Sequence, residues 1–180
     1  FISKPVVTYG FGAEAMVLNL SRAEAEDSAT TARLDGVTGI WFTGGDQVPL
    51  ARTLLGTPVL EAMRRQLRAG AVVGGTSAGA AIMGDSMLTG NQRRPDSLGY
   101  YGDEFPEIAR GQIEVVPGLG FLPGTIIDQH FLRRERHNRL LAVILERPAL
   151  VGAGIDDQNL AGDEVRTFDE PDGRLGHVLR

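Results

Sequence analysis

Cysteine is missing from the 180 residues of this chain, and histidine is scarce. Without cysteine there can be no disulfide, no cysteine-ligated metal site and no thiol nucleophile. The three histidines are His130, His137 and His177. Any mechanism that needs an imidazole must therefore use one of these three side chains.

Basic residues and long apolar runs are also in short supply. The chain has 18 basic against 23 acidic residues and a net charge of −5, which argues against nucleic acid as a bulk partner. No run approaches the ~20 apolar residues of a membrane span, and no signal peptide is visible. The sequence therefore predicts no membrane association, and it favours the cytoplasm over export without assigning a compartment. Lys4 is the one lysine, so an isolated arginine carries little functional weight.

The pattern of apolar residues is typical of an α/β protein. The length and the 42% hydrophobic content suit a single domain over 1–180 with a real core. Short continuous apolar runs favour a largely parallel sheet with helices on both faces. Strands are predicted over 6–9, 15–20, 39–42, 71–73, 113–116, 125–127 and 150–155. Helices are predicted over 58–68, from just after Ser77, and over 136–146, with a surface loop over 90–110 and a hairpin in 163–180.

The sharpest motif is Gly75-Thr76-Ser77-Ala78-Gly79, a G-x-S-x-G pattern between a predicted strand and a predicted helix. A tight turn there presents the serine at the carboxyl edge of the sheet. The backbone N–H of Ala78 can then face a developing oxyanion. The alternative is an ordinary glycine-rich turn in which Ser77 caps the helix.

A second glycine-rich turn, Gly44-Gly45-Asp46, follows the predicted strand 39–42. Ligand sites of open α/β sheets lie at the carboxyl ends of strands, so this turn could lie beside Ser77. Gly45 or Asp46 would then supply the second oxyanion donor. The alternative is an ordinary loop in which Asp46 caps the next helix.

Asp128-Gln129-His130 follows the predicted strand 125–127. His130 is the one histidine at a strand end within a polar cluster, since the others lie near a helix start and in the tail. We therefore expect His130 to be the general base.

Four arginines follow at positions 133, 134, 136 and 139. Cations near a helix N-terminus cost roughly 0.3–1 kcal/mol each, so the cluster favours a site for an anionic ligand. The alternative is a solvated basic face, with Arg133 the first candidate for a bystander.

The last predicted strand, 150–155, runs into Asp156 and Asp157. A carboxylate here could orient the imidazole of His130 and stabilise its protonated form. The alternative is an acidic loop without a catalytic role.

Together, these four strand ends, in this order and spacing, resemble the serine peptidase family that contains cyanophycinase and the aspartyl dipeptidase called peptidase E. The resemblance covers roughly 12–160. It implies a fold similar to class I glutamine amidotransferases, a flavodoxin-like three-layer sandwich, with serine replacing the cysteine nucleophile. It also implies hydrolysis of cyanophycin, a poly-aspartate that carries arginine on its β-carboxyls, to β-Asp-Arg dipeptides, by a homodimer without metal or cofactor.

The resemblance also assigns residues. It implies Ser77 as nucleophile, His130 as base and Asp157 as the third member, beside the oxyanion donors Gly45 and Ala78. The substrate-binding positions that it implies are Gln47, Asp128, Gln129, Arg134, Arg136 and Arg139.

Two departures from the family pattern bear on these assignments. The family has Gly-Ile-Asp-Glu where this chain has Asp157, which is one methylene shorter, so Asp156 or a water is the alternative partner of His130. The family also has a longer N-terminal portion, so we expect 1–180 to be a single catalytic domain that lacks that portion.

Two other functions fit the same residues. One is a related peptidase of the peptidase E type that acts on other aspartyl or isoaspartyl peptides, which Asp157 and the loop over 90–110 motivate. The other is a relative that binds an acidic or amidated peptide without cleaving it.

Overall fold

The computed structural model describes residues 15–92, 105 and 107–156, which form an α/β fold. The predictions for 6–9 and 163–180, and most of the predicted loop over 90–110, lie outside these residues. The helices are α1 (Arg22–Glu26), α2 (Ser28–Ala32), α3 (Gln47–Leu54), α4 (Pro58–Arg68), α5 (Ala78–Ala81) and α6 (His137–Glu146). The strands are β1 (Gly39–Phe42), β2 (Val72–Gly75), β3 (Ser86–Gln92), β4 (Ile113–Pro117), β5 (Thr125–Asp128) and β6 (Val151–Gly154).

Strand pairing brings the ends of the functional strands to common edges. Within the described residues β1 pairs with β2 in parallel, with Phe42 opposite Gly75. β5 pairs with β6 in parallel, with Asp128 opposite Gly154. β3 and β4 form an antiparallel pair, the exception among the described pairs to the largely parallel arrangement that the sequence predicts. The four parallel strands are those whose carboxyl ends carry the polar motifs.

The main core lies under α4. Thr57 caps this helix by accepting a hydrogen bond from the N–H of Leu60, and Pro58 suits its first turn. Its buried face packs with residues from β1, from the segment after α5 and from the segment after β4, including Phe42 and Phe121, whose ring centroids are 5.8 Å apart. This core supports the parallel strands that carry the polar motifs.

One face of the β1–β2 pair stays open. Trp41 is 67% exposed and Val72 is 73% exposed. The indole of Trp41 lies across Gly74, where a Cβ atom would come within 2.7 Å of the ring. Glycine at this position therefore makes room for the neighbouring aromatic side chain.

Several elements match the sequence-based prediction and others do not. The helix over 58–68 and the strand over 39–42 have the predicted bounds. The strand predicted over 15–20 is wrong, because this segment has no strand pairing, although Leu18 and Leu20 still pack against the core.

Four elements were not predicted: α1, α2, α3 and β3. The first two have five residues each and depend on polar caps at Ser21 and Asp27. The backbone N–H of Ser21 lowers the pKa of Glu24, and the backbone N–H of Thr30 lowers the pKa of Asp27. Across the part of the chain that the structure describes, no helix combines the length and apolar content of a membrane span.

Candidate active site

Ser77 lies on a strained turn between β2 and α5, with φ of 52° and ψ of −114°. Glycines on both sides make this turn possible. A Cβ atom at Gly79 would overlap the carbonyl oxygen of Phe42, and one at Gly75 would overlap the carbonyl of Gly79. The turn is therefore pressed against β1, and a non-glycine residue with positive φ there has a backbone cost of about 1–3 kcal/mol.

The hydroxyl of Ser77 faces the histidine. Its Oγ lies 3.0 Å from Nε2 of His130 and 3.3 Å from Oε1 of Gln129. The side chain makes no capping hydrogen bond to α5, so the capping alternative is wrong. A serine hydroxyl has one proton, so the imidazole and the Gln129 amide oxygen compete to accept it.

The turn after β1 lies directly over the serine. A Cβ atom at Gly44 would come within 3.3 Å of the Ser77 Cβ. Gly45 has φ of 137°, which favours glycine, while Asp46 Oδ1 accepts a hydrogen bond from the N–H of Val48 at 2.9 Å and caps α3.

Two amides near Ser77 are available for a ligand. Among the described residues, neither Gly45 nor Ala78 donates its backbone N–H to another group. Their role as the two donors of an oxyanion hole stays a prediction. Because α5 has only four residues, its dipole adds less positive potential than a full helix would.

His130 also lies on a strained turn, with φ of 51°. The carbonyl of His130 accepts the N–H of Arg134 at 3.0 Å, and the N–H of Phe131 donates to the carbonyl of Ile155 at 3.0 Å. The second bond ties the histidine turn to the residue that follows β6. The end of β6 therefore fixes the turn from which His130 reaches Ser77.

A buried ion cluster lies beneath this turn. Asp128, Arg136 and Arg139 are 1%, 4% and 2% exposed. Asp128 accepts from Nε of Arg139 at 2.7 Å, and its other oxygen pairs with Nη2 of the same guanidinium. Nη1 of Arg136 lies 3.7 Å from Asp128 and donates to the carbonyl of Gln129 at 2.6 Å. The cluster thus holds the backbone immediately before His130.

The remaining predicted site residues lie in different surroundings. Gln47 is buried, and its Nε2 donates to the carbonyl of Leu88 at 2.9 Å, which links α3 to β3. Arg134 is exposed beside the histidine turn. Asp157 lies outside the described residues.

The carboxylate of Asp156 accepts hydrogen bonds from backbone amides. Its Oδ2 accepts the N–H groups of Leu132 at 2.5 Å and Arg133 at 2.9 Å. Both donors belong to the turn that follows His130.

The family of this chain is established by its similarity to known proteins. A model of peptidase family S51 matches residues 7–163 of the chain. The chain belongs to peptidase family S51. The family predicted from the four strand-end motifs is thereby confirmed, over nearly the range in which the resemblance was seen.

The chain is similar to curated proteins named cyanophycinase. It is 38% identical over 141 residues to a cyanophycinase of Trichormus variabilis, covering 78% of this chain and 44% of the relative. A cyanophycinase of Synechococcus elongatus is 38% identical over 143 residues, covering 78% of this chain and 40% of the relative. The chain therefore spans less than half the length of these relatives.

A solved structure supports the fold. The crystal structure of a peptidase from an acI-B1 Actinobacterium is similar with a TM-score of 0.56 and 20% sequence identity, covering 77% of this chain and 50% of the other. At that identity, the similarity establishes the α/β fold alone.

The S51 site, as far as it is described, has no cluster suited to a metal. Across residues 15–92, 105 and 107–156, no group of three His, Asp or Glu side chains could hold a metal ion. The absence of a metal from the mechanism stays a prediction.

Some contacts around the site cannot be recognised in the sequence. Phe105 is buried, its carbonyl accepts from Asn138 at 2.6 Å, and the Arg139 guanidinium lies 5.6 Å from its ring centroid. Its position within a polar stretch that was predicted to be a surface loop concealed this role. The bonds of Asp156 to the turn amides were missed because the sequence shows a carboxylate at a strand end without its partners.

Proposed function

We propose that the protein is a serine exopeptidase of the cyanophycinase type, which hydrolyses cyanophycin to β-Asp-Arg dipeptides. The observation that carries the proposal is the 3.0 Å contact between Oγ of Ser77 and Nε2 of His130 on opposed strained turns. Family S51 membership and relatives named cyanophycinase support the same reaction class.

The proposed reaction begins when Nε2 of His130 accepts the proton of Ser77. Oγ attacks an aspartyl peptide carbonyl and forms a tetrahedral intermediate, whose oxyanion accepts the N–H groups of Gly45 and Ala78. The imidazolium donates its proton to the leaving amine, and the C–N bond breaks to leave an acyl-enzyme. Water, deprotonated by His130, then releases the acid product and restores the serine. Asp157 is the proposed partner of the other imidazole nitrogen.

Substrate contacts follow from exposure and charge. The substrate has free carboxylates and guanidinium groups, so both acceptors and cations are needed to bind it. Gln129 lies at the proposed nucleophile and Arg134 is exposed on the His130 turn, so we assign them the direct contacts. Gln47, Asp128, Arg136 and Arg139 are buried, and in the proposal they support the backbone around these contacts. The homodimer remains a further part of the proposal.

Replacing the nucleophile tests the proposal. Ser77→Ala is expected to lower kcat for release of β-Asp-Arg from cyanophycin by about 10⁴-fold or more, because the covalent step is lost. Product identity is read by mass spectrometry, and Ser28→Ala at the exposed start of α2 serves as the matched serine control. Release at the wild-type rate by Ser77→Ala would overturn the mechanism.

A related peptidase of the peptidase E type is the second candidate. The burial of Arg136 and Arg139 favours it, because these cations are paired with Asp128 rather than presented to a carboxylate-rich polymer. A panel of aspartyl and isoaspartyl dipeptides, with and without β-linked arginine, separates the two. Preference for peptides without that arginine supports this second candidate. Absence of Ser77 labelling by a serine-directed probe, together with peptide binding, supports a non-cleaving relative.

A further inference from the structure

We propose that Asp156 is a positioning residue, which holds the His130 turn through two backbone amides and does not act as the acid that orients the imidazole. The inference rests on the proposed function, since it assigns a role within the same site. It separates the roles of Asp156 and Asp157, both of which the sequence offers as a partner of His130.

The carboxylate of Asp156 accepts hydrogen bonds from the turn that follows His130. One oxygen of Asp156 accepts both the Leu132 N–H at 2.5 Å and the Arg133 N–H at 2.9 Å. These amides begin the turn that follows His130, where backbone donors need partners outside the turn itself. A single carboxylate oxygen thus satisfies two donors directly after the base.

Ile155, the residue before Asp156, is held by both of its backbone polar groups. The N–H of Ile155 donates to the carbonyl of Asp128 at 2.9 Å, and its carbonyl accepts the Phe131 N–H at 3.0 Å. Asp156 is therefore carried on an anchored segment. Its carboxylate therefore connects the end of β6 to the backbone of the histidine turn.

The turn that contains His130 is strained. His130 has φ of 51° and Glu135 has φ of 50°, so this turn contains two non-glycine residues in a left-handed conformation. Such residues persist only when surrounding contacts impose the conformation. Without the two amide bonds the turn can relax, and Nε2 of His130 would move away from Ser77. A misplacement of about 1 Å at a reacting group can cost roughly 10²-fold in rate.

The two possible roles of Asp156 differ in their need for charge. An orienting acid must be negative to stabilise the imidazolium, whereas a backbone acceptor needs only an oxygen with two lone pairs. Asparagine keeps the shape and the oxygen but not the charge. Asp156→Asn and Asp156→Ala therefore distinguish the roles.

For a positioning residue, Asp156→Asn is expected to keep kcat within about tenfold of wild type and to leave the pH profile unchanged, because its oxygen still accepts both amides. Asp156→Ala is expected to lower kcat by about 10²-fold. Hydrogen exchange at the Leu132 and Arg133 amides gives a readout without substrate, with protection kept in Asp156→Asn and lost in Asp156→Ala. Asp27→Ala is the matched control, because Asp27 also accepts a backbone amide, from Thr30 at 2.8 Å, but in the connection between α1 and α2.

A loss of about 10⁴-fold in Asp156→Asn would identify Asp156 as the orienting acid and overturn the inference. Wild-type kcat in Asp156→Ala would overturn it as well. Should Asp156→Ala fail to fold, the rate, pH profile and amide protection of Asp156→Asn still decide. The proposed function fails separately, through the activity of Ser77→Ala.

Discussion

The Ser77 turn and the His130 turn are both strained, but different kinds of contact hold each of them in place. Both carry the proposed reacting side chain on a non-glycine residue with positive φ, 52° for Ser77 and 51° for His130. The Ser77 turn is enforced by close packing, because Gly75 and Gly79 have no room for a Cβ atom. The His130 turn is enforced by charged groups. The ion cluster of Asp128 and its arginines holds the backbone that precedes His130, and Asp156 holds the backbone that follows it.

This difference predicts how each turn fails. Steric enforcement depends on neighbours that cannot move, so an added methyl group must displace backbone. Electrostatic enforcement depends on buried partners, so removal of one charge leaves another uncompensated in the interior. Substitutions at the two turns therefore test the comparison directly.

The largest effect is expected at Gly79. Gly79→Ala places a Cβ atom against the carbonyl oxygen of Phe42, which belongs to a strand that cannot shift without breaking its pairing with β2. We expect destabilisation above about 4 kcal/mol, or loss of the folded state. Circular dichroism during chemical denaturation measures it.

Gly39→Ala provides the steric control within the same strand pair. No heavy atom lies within 4 Å of a Cβ at Gly39, so the free energy of unfolding should change by less than about 1 kcal/mol. Equal losses in both variants would show that packing against β1 does not enforce the serine turn.

A smaller effect is expected at the charged turn. Asp128→Asn leaves the buried guanidiniums of Arg136 and Arg139 without their carboxylate, and removal of one buried partner typically costs about 3–5 kcal/mol. We expect the lower end, about 3 kcal/mol, because Arg136 also donates to the Gln129 carbonyl. Thermal unfolding measures this loss.

The exposed pair of Arg22 and Glu26 gives the charge control. Glu26→Gln removes an ion pair whose side chains are 46% and 55% exposed, so less than about 1 kcal/mol is expected. If Asp128→Asn proved as mild as Glu26→Gln, burial of the cluster would not stabilise the histidine turn.

The smallest effect concerns the strain itself. Ser77→Gly and Ser77→Ala both remove the hydroxyl, but only alanine keeps the Cβ atom at φ of 52°. We expect the glycine variant to be the more stable of the two by about 1 kcal/mol, because glycine adopts positive φ without a steric cost. Calorimetry of both inactive proteins measures the difference, and greater stability of the alanine variant would show that the turn is unstrained.

The serine half of the site could be predicted from sequence because its determinants are local. The G-x-S-x-G pattern contains both the proposed nucleophile and the glycines that its turn requires. Thr57, Pro58 and Gly70 likewise mark the ends of α4 within a few residues. Steric constraints between residues close in the chain can therefore be recognised in the sequence itself.

The histidine half was predicted less completely because its determinants are distant. Asp128 and Arg139 are 11 residues apart, and their pairing depends on the packing of α6 against the strands. In a chain whose basic residues are nearly all arginine, nothing in the spacing shows that Arg136 and Arg139 are buried. The strand β3 was missed for a related reason, since its pairing with β4 crosses a long polar segment.

The open face of the β1–β2 pair has an optical consequence. Trp41 is the one tryptophan of the chain, and it is already 67% exposed in the folded protein. Unfolding can therefore change its surroundings only modestly, and its emission is a poor measure of stability. The same indole is a selective fluorescent reporter for that face, since burial under another surface would shift its emission to shorter wavelength.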